Sequence, residues 1–179
     1  MRVISGRYRG LKLNDFEGED IRPTADRVKE SLFNILYGKV SGARVLDLFC
    51  GSGSLGIECL SRGAAHVDFN DISPRSIRVL RGNLARLRGE NSYSITTGDF
   101  VSFLSSPRPP YDLIFVDPPY ASEAGLSAIR LIGSRGLLSP SGVTIYERDR
   151  PFAADVVGLE KFDERKYGKT YLTFFCYTQ

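Results

Sequence analysis

The stretch "RVLDLFCGSGSLGIECL", residues 44–60, decides the fold. Its first six residues form an apolar strand interrupted only by Asp47. Glycines follow at 51, 53 and 56, in G-x-G-x-x-G spacing. The apolar positions then take helical spacing through about Leu60, and Gly63 supplies a stop. A strand that passes through a glycine turn straight into a helix is the start of an alternating α/β chain.

The alternation continues downstream. "HVDFND" (66–71) reads as a second strand. Residues 74–88 read as an amphipathic helix with Ile77, Leu80, Leu84 and Leu87 on one face. "SYSITTG" (92–98) and "DLIFV" (112–116) are the third and fourth strands. A helix at about 123–135 precedes a fifth, "GVTIYE" (142–147). The tail "KTYLTFFCYT" (169–178) predicts a final strand, with a partner near 158–165. Upstream, residues 2–13 alternate around "SGRYRG" and predict a short strand pair. "RPT" (22–24) ends that extended part, and Thr24 is expected to cap a helix running to about Tyr37, before Gly38.

Strands alternating with helices imply a parallel sheet covered on both faces. Ligands of such sheets bind outside the carboxyl ends of the strands, where the winding reverses. Asp47, Asp71, Asp99 and Asp117 fall at or near strand ends on that edge. Packing alone does not account for four carboxylates there.

Asp47 lies four residues before the first glycine, where it would repel a pyrophosphate. It suits a ligand with an ammonium group, and S-adenosylmethionine carries an ammonium and a sulfonium. Gly51 and Gly53 permit a tight turn and close approach of a ligand to the backbone. Asp71 can accept from both hydroxyls of an adenosine ribose, as NAD sites also do; the competing role is a helix cap before Pro74. Asp99 is placed to accept from an adenine amino group, and Phe100 to lie against the ring or in the core.

"DPPY" (117–120) ends the fourth strand abruptly. Pro118 and Pro119 have no N–H, so nearby carbonyls can point outward as acceptors. With the Asp117 carboxylate and the flat face of Tyr120, they describe a clamp for the exocyclic amine of a planar base.

The 179 residues are 42% hydrophobic and 25% charged, a globular balance for one domain. No apolar run is long enough to span a membrane, and the N-terminus lacks the apolar core of a signal peptide. A cytoplasmic monomer is expected. Cys50, Cys59 and Cys176 have no metal-ligand spacing and read as free thiols. With His66 alone, no multi-imidazole metal site can form; no metal is expected, and His66 is assigned no role.

The net charge is only +3, but the basic residues are grouped. Arg2, Arg7, Arg9 and Lys12 form a leader without acids, read here as a grip on nucleic-acid phosphates. Arg75, Arg78, Arg81, Arg86 and Arg88 lie along the third helical segment and read as a solvated face.

Together, "RVISGRYRGLKL", "RPTADRVKESLFNIL", "DLFCGSGSLGIECLSRGA", "DPPY" and "KYGKTYLTFF" resemble the RsmD family over essentially the whole chain. These are bacterial methyltransferases acting on the N2 amine of a guanine in 16S ribosomal RNA. The resemblance implies a class I methyltransferase (Rossmann-like) doubly wound sheet of seven strands, the last antiparallel. It implies residues 1–40 as an RNA-contacting extension and 41–179 as the catalytic core. Arg22 and Thr24 would close over the methionine end of the cofactor. Asp47, Gly51 and Gly53 would line it, Asp71 would hold the ribose, and Asp99 with Phe100 the adenine. Asp117, Pro118 and Tyr120 would hold the base. The chain departs from the family pattern at Cys50, Asn70, Asp71 and Ser73, and the Cys50 thiol is expected near the cofactor. The partner implied is 16S rRNA or the assembling small ribosomal subunit. The rivals are an adenine-N6 methyltransferase acting on DNA or another RNA, a nicotinamide-dependent oxidoreductase and a non-catalytic RNA-binding protein.

Overall fold

Apolar β-branched and aromatic runs become strands where they are buried on both sides, and the segments between them coil into helices. The structure is a computed structural model describing residues 1–15, 23–119 and 123–178, the side chains of 23–25 excepted. In chain order it contains α1 (Pro23–Ile35), β1 (Arg44–Asp47), α2 (Ser54–Ser61), β2 (His66–Asp71), α3 (Pro74–Leu84) and β3 (Tyr93–Thr97). These are followed by α4 (Phe100–Ser105), β4 (Tyr111–Val116), α5 (Ala124–Arg135), β5 (Leu138–Arg148), β6 (Leu159–Tyr167) and β7 (Thr170–Tyr177).

The strands form one sheet in the order β3-β2-β1-β4-β5-β7-β6. The first five are parallel; β7 runs antiparallel to both β5 and β6. This is the class I methyltransferase arrangement, and the strand near 158–165 does pair with the tail. From β1 the chain winds outward through β2 and β3, then crosses back to β4 and β5. The gap between β1 and β4 is therefore the topological switch point.

Period-two alternation divides the core between the two sheet faces. Val45, Phe69, Leu113, Phe115 and Phe174 belong to a cluster with α1, α2 and α3. Leu46, Leu48, Ile114, Val116 and Phe175 belong to another with α4 and α5. Phe33, Phe69, Phe115, Phe174 and Phe175 are all fully buried. Each such side chain contributes about 1.5–3 kcal/mol.

Four local expectations need correction. The first described helix begins at Pro23, so Thr24 lies in its first turn rather than at its cap; proline suits that opening position. α3 ends at Leu84, short of 88, because a turn from Leu87 N to Leu84 O (3.0 Å) keeps Leu87 on the core without helix. α4 was not foreseen. The leader forms a single antiparallel bridge, Arg2 to Lys12, rather than a ladder. Its Val3 and Leu13 are 1% and 4% exposed, so it packs as part of the core.

Candidate active site

The glycine loop sits over the end of β1, held from both sides. Leu48 N donates to Phe115 O of β4 (3.1 Å), and Cys50 N donates to Asn70 O of β2 (3.0 Å). Gly51 has φ 52, and a Cβ built on it meets nothing within 4 Å. Its left-handed backbone and the open space beside it suit a ligand passing close to the main chain. Gly53 opens α2. Gly53 and Gly56 answer to packing instead: a Cβ would lie 2.2 Å from Leu80 at the first and 2.2 Å from the Phe69 ring at the second. The third glycine thus lets α2 lie close on the sheet.

Asp47 lies beneath this loop, 2% exposed, and accepts from Gly56 N (2.9 Å). Burial pushes its pKa up to about 7; the Gly56 N–H opposes this and the Asp71 carboxylate adds to it. The residue therefore ties α2 to β1 and also holds a carboxyl that a nearby cation would ionise. Asp71 Oδ2 accepts from Gly51 N (2.9 Å) and Oδ1 from Ser73 N (2.8 Å). A carboxylate offers about four acceptor positions, so both oxygens retain capacity while the backbone fixes their direction. Ser73, not Asp71, caps α3, its hydroxyl accepting from Ser76 N (3.3 Å).

Asp99 caps α4: its Oδ1 accepts from Ser102 N (2.8 Å), and that N–H helps hold its pKa below the usual value. The carboxylate stands exposed at the end of β3. Half-buried Phe100 lies against Phe49, ring centroids 5.4 Å apart. The Cys50 thiol is buried under the loop, where burial and the Asp47 and Asp71 carboxylates raise its pKa and leave it inert.

Asp117 follows β4 immediately and is half-buried. Val116 pairs with Tyr146, so the next residues, Asp117 and Glu147, lie side by side. Burial drives the Asp117 pKa well up, and the Glu147 and Asp47 carboxylates add to the rise. Pro118 is buried and Pro119 exposed. Arg22, Tyr120 and the Thr24 side chain lie outside the described residues.

The sequence reading missed Glu147, although the strand-end rule that singled out four aspartates applies equally to the last residue of "GVTIYE". It also missed how the leader is attached. Glu58 is 0% exposed and accepts from Ile4 N (2.8 Å), Ser5 N (3.0 Å) and Arg62 Nε (2.8 Å). Lys29 Nζ lies 3.4 Å from the same carboxylate and donates to Arg2 O (2.5 Å). Asn83 accepts from Asn14 N (2.8 Å) and donates to Asn14 O and Ser52 O (both 2.9 Å). Arg2, Arg7, Arg9 and Lys12 extend from this anchored leader as exposed side chains. The ring of His66, assigned no role from sequence, meets Ser92 Oγ (2.7 Å) and Asp68 Oδ1 (3.1 Å).

Among the described residues, no group of three or more His, Cys, Asp and Glu side chains could share a metal ion. No described helix is long and apolar enough to cross a membrane. The open loop at Gly51, the backbone-oriented Asp71 and the ionisable Asp47 fit S-adenosylmethionine, a cation with a ribose diol.

A family model described as Conserved hypothetical protein 95 matches residues 1–176. A Haemophilus influenzae relative named Ribosomal RNA small subunit methyltransferase D is 38% identical over 157 residues, 84% of this chain and 81% of that one. The chain belongs to the RsmD family. An Escherichia coli K12 relative of the same name is 36% identical over 149 residues, 83% of this chain and 75% of that one. The solved structure of the candidate methyltransferase yhhF from Escherichia coli aligns with a TM-score of 0.87 at 32% identity, covering 99% of this chain and 97% of that one. A methyltransferase candidate solved with SAH, SMU.776, aligns at a TM-score of 0.66 and 18% identity, covering 87% of this chain and 50% of that one, a likeness of fold alone. The RsmD-family match thus spans the leader as well as the sheet.

Proposed function

We propose that this RsmD-family chain transfers the methyl group of S-adenosylmethionine to the exocyclic N2 amine of a guanine in small-subunit (16S) ribosomal RNA. Residues 1–40 serve as the RNA-contacting extension and 41–179 as the catalytic core of one domain. The observation that carries this reading is the position of Asp117, Pro118 and Pro119: directly past β4, one strand from the glycine loop over β1. The relatives named for ribosomal RNA methylation support the substrate class.

When bound, the cofactor supplies an electrophilic methyl group on a sulfonium. Asp71 holds the ribose hydroxyls, Gly51 admits the ligand to the backbone while Gly53 completes the turn, and Asp47 faces the ammonium. Asp99 and Phe100 take the adenine. Arg22, Thr24 and Tyr120 complete the set by resemblance, the first two closing over the methionine end and the last stacking the base.

Asp117 and the Pro118 carbonyl accept the two hydrogens of the target amine, which aims the nitrogen lone pair. As the new N–C bond forms and the C–S bond breaks, the nitrogen becomes positive and acidic. Its proton passes to Asp117, whose high proton affinity suits a base. Only ionised Asp117 can act in this way, so the rate climbs with pH as the carboxyl loses its proton. The test is to incubate the protein with labelled cofactor and unmodified small-subunit RNA or particles, then identify the modified nucleoside. N2-methylguanosine is expected. N6-methyladenosine, or no RNA product, overturns the reading.

A further inference from the structure

The two basic segments lie far apart in the chain and meet in the fold. The Tyr8 hydroxyl donates to Arg88 O (2.5 Å), Arg7 Nη1 to Glu90 O (3.1 Å) and Arg86 Nη1 to Lys12 O (2.5 Å). Because Glu58 and Asn83 anchor the leader's main chain near both ends, these contacts join two fixed surfaces.

Charge on this protein is segregated. Of 24 basic and 21 acidic residues, nine basic and no acidic ones fall within 1–14 and 74–89. That leaves 15 basic against 21 acidic elsewhere. Arg75, Arg78 and Arg81 follow one another at helical spacing and are exposed, as are Arg86 and Arg88. Like charges at this spacing repel by about 0.2–0.5 kcal/mol per pair. A face serving solubility alone would relieve that with interspersed acids, and this one does not. Beside the leader the charge is more mixed: Arg2, Arg9 and Arg27 line a cleft of about 460 Å³ with Asp26 and Glu30. α3 itself carries three arginines and no acid, and it begins three residues after Asp71, next to the proposed cofactor site.

We infer that the leader and α3 form one phosphate-binding face, on which Arg78, Arg81 and Arg88 hold the RNA backbone that the leader also grips. This replaces the reading of α3 as a merely solvated helix, and it rests on the RNA-methylating function proposed above. Guanidinium groups pair with phosphate oxygens, and each phosphate contact adds about 0.7–0.9 to the salt slope of binding.

The test measures binding of a labelled small-subunit rRNA fragment between about 50 and 200 mM salt. It compares wild type, the pair Arg78→Gln with Arg81→Gln, and a control pair Arg130→Gln with Arg135→Gln on exposed positions of α5. The α3 pair should lose about tenfold in affinity near 0.1 M salt and flatten the slope by about 1.5. The α5 pair, which removes the same net charge, should do much less. Equal effects of the two pairs overturn the inference, as does competition by polyglutamate as effective as that by RNA. Cofactor titration of each variant checks its fold, and Arg88→Gln, beyond the helix, asks the same question at half the slope change if the α3 pair does not fold. Wild-type protein that binds the fragment no better than an equally charged DNA duplex overturns the RNA reading itself. Wild-type preference for RNA with an unchanged α3 pair overturns this inference alone.

Discussion

β4 has an aspartate at each end, and the two live in opposite surroundings. Asp112, at the start, accepts from Arg44 N and Ser139 Oγ, both at 2.8 Å. Asp117, just past the end, has the Glu147 and Asp47 carboxylates as charged neighbours. The same contrast runs across the sheet. Asp68, on the interior of β2, accepts from Arg44 Nη2 (2.6 Å), the Tyr111 hydroxyl (2.7 Å) and Ser94, with His66 Nε2 at 3.1 Å. Burial pushes its pKa up, but those partners outweigh it and hold the carboxyl below its ordinary range. Toward the amino ends of the strands, then, the protein satisfies its own carboxylates. At the carboxyl ends backbone N–H groups hold Asp47 and Asp71, but Asp47, Asp71, Asp117 and Glu147 also lie against one another, which is where donors and cations from a ligand would be accepted.

Removing a carboxylate held by donors inside the fold should therefore damage the fold, and removing one set among other carboxylates should damage turnover. The largest effect is expected from Asp68→Ala. It leaves Arg44 and the Tyr111 hydroxyl without their acceptor and should cost about 3–5 kcal/mol, read from denaturant unfolding. Asp117→Ala should lose about 10²- to 10³-fold in single-turnover methyl transfer, with cofactor affinity nearly intact. Equal loss of cofactor binding would count against its proposed role at the amine. Its melting temperature should hold or rise at neutral pH. The folded state binds the Asp117 proton more tightly than the unfolded chain does, so this group's contribution to stability declines as pH rises above the ordinary aspartate range.

Asp47 allows that sign to be checked in a defined window. Its folded pKa of about 7 lies above the ordinary value of 3.8. The folded state therefore holds more protons between about pH 4 and 7, and stability falls as pH rises through that range. Asp47→Asn can still accept from Gly56 N but cannot ionise, so its stability should vary less with pH over the same interval. A bound cation should also draw the Asp47 proton off, making wild-type cofactor affinity grow as pH rises toward 7. Thermal melts and calorimetric titration at several pH values read both effects, and an Asn variant with the wild-type pH slope would remove Asp47 from this account.

The parallel sheet was legible because strands buried on both faces leave continuous apolar runs, as in "RVLDLF" and "DLIFV". Much of the candidate site was legible because its acids interrupt those runs: a charge at the end of a buried strand is a local signal. What remained hidden was non-local or short. Glu58 meets Ile4 across 54 residues and Asn83 meets Asn14 across 69, separations that no periodicity reports. α4 has only six residues, too few to establish a helical period, so Asp99 was read for its carboxylate and not also as a cap. The placement of β7 between β5 and β6 follows from antiparallel pairing at the end of the chain, which local spacing does not encode.

Asp112→Asn gives the smallest effect and the finest test of the contrast along β4. Asp112 uses its oxygens as acceptors for one backbone N–H and one hydroxyl, and an asparagine oxygen can replace only one of the two. The amide nitrogen would meet the other donor, although the Ser139 hydroxyl can turn and accept instead. The expected loss is about 1 kcal/mol, seen as a small shift in the unfolding midpoint, with methyl transfer unchanged. If Asp112→Asn instead slowed turnover as strongly as Asp117→Ala, the two ends of β4 would not be functionally distinct, and the placement of catalysis at the carboxyl edge would fail with it.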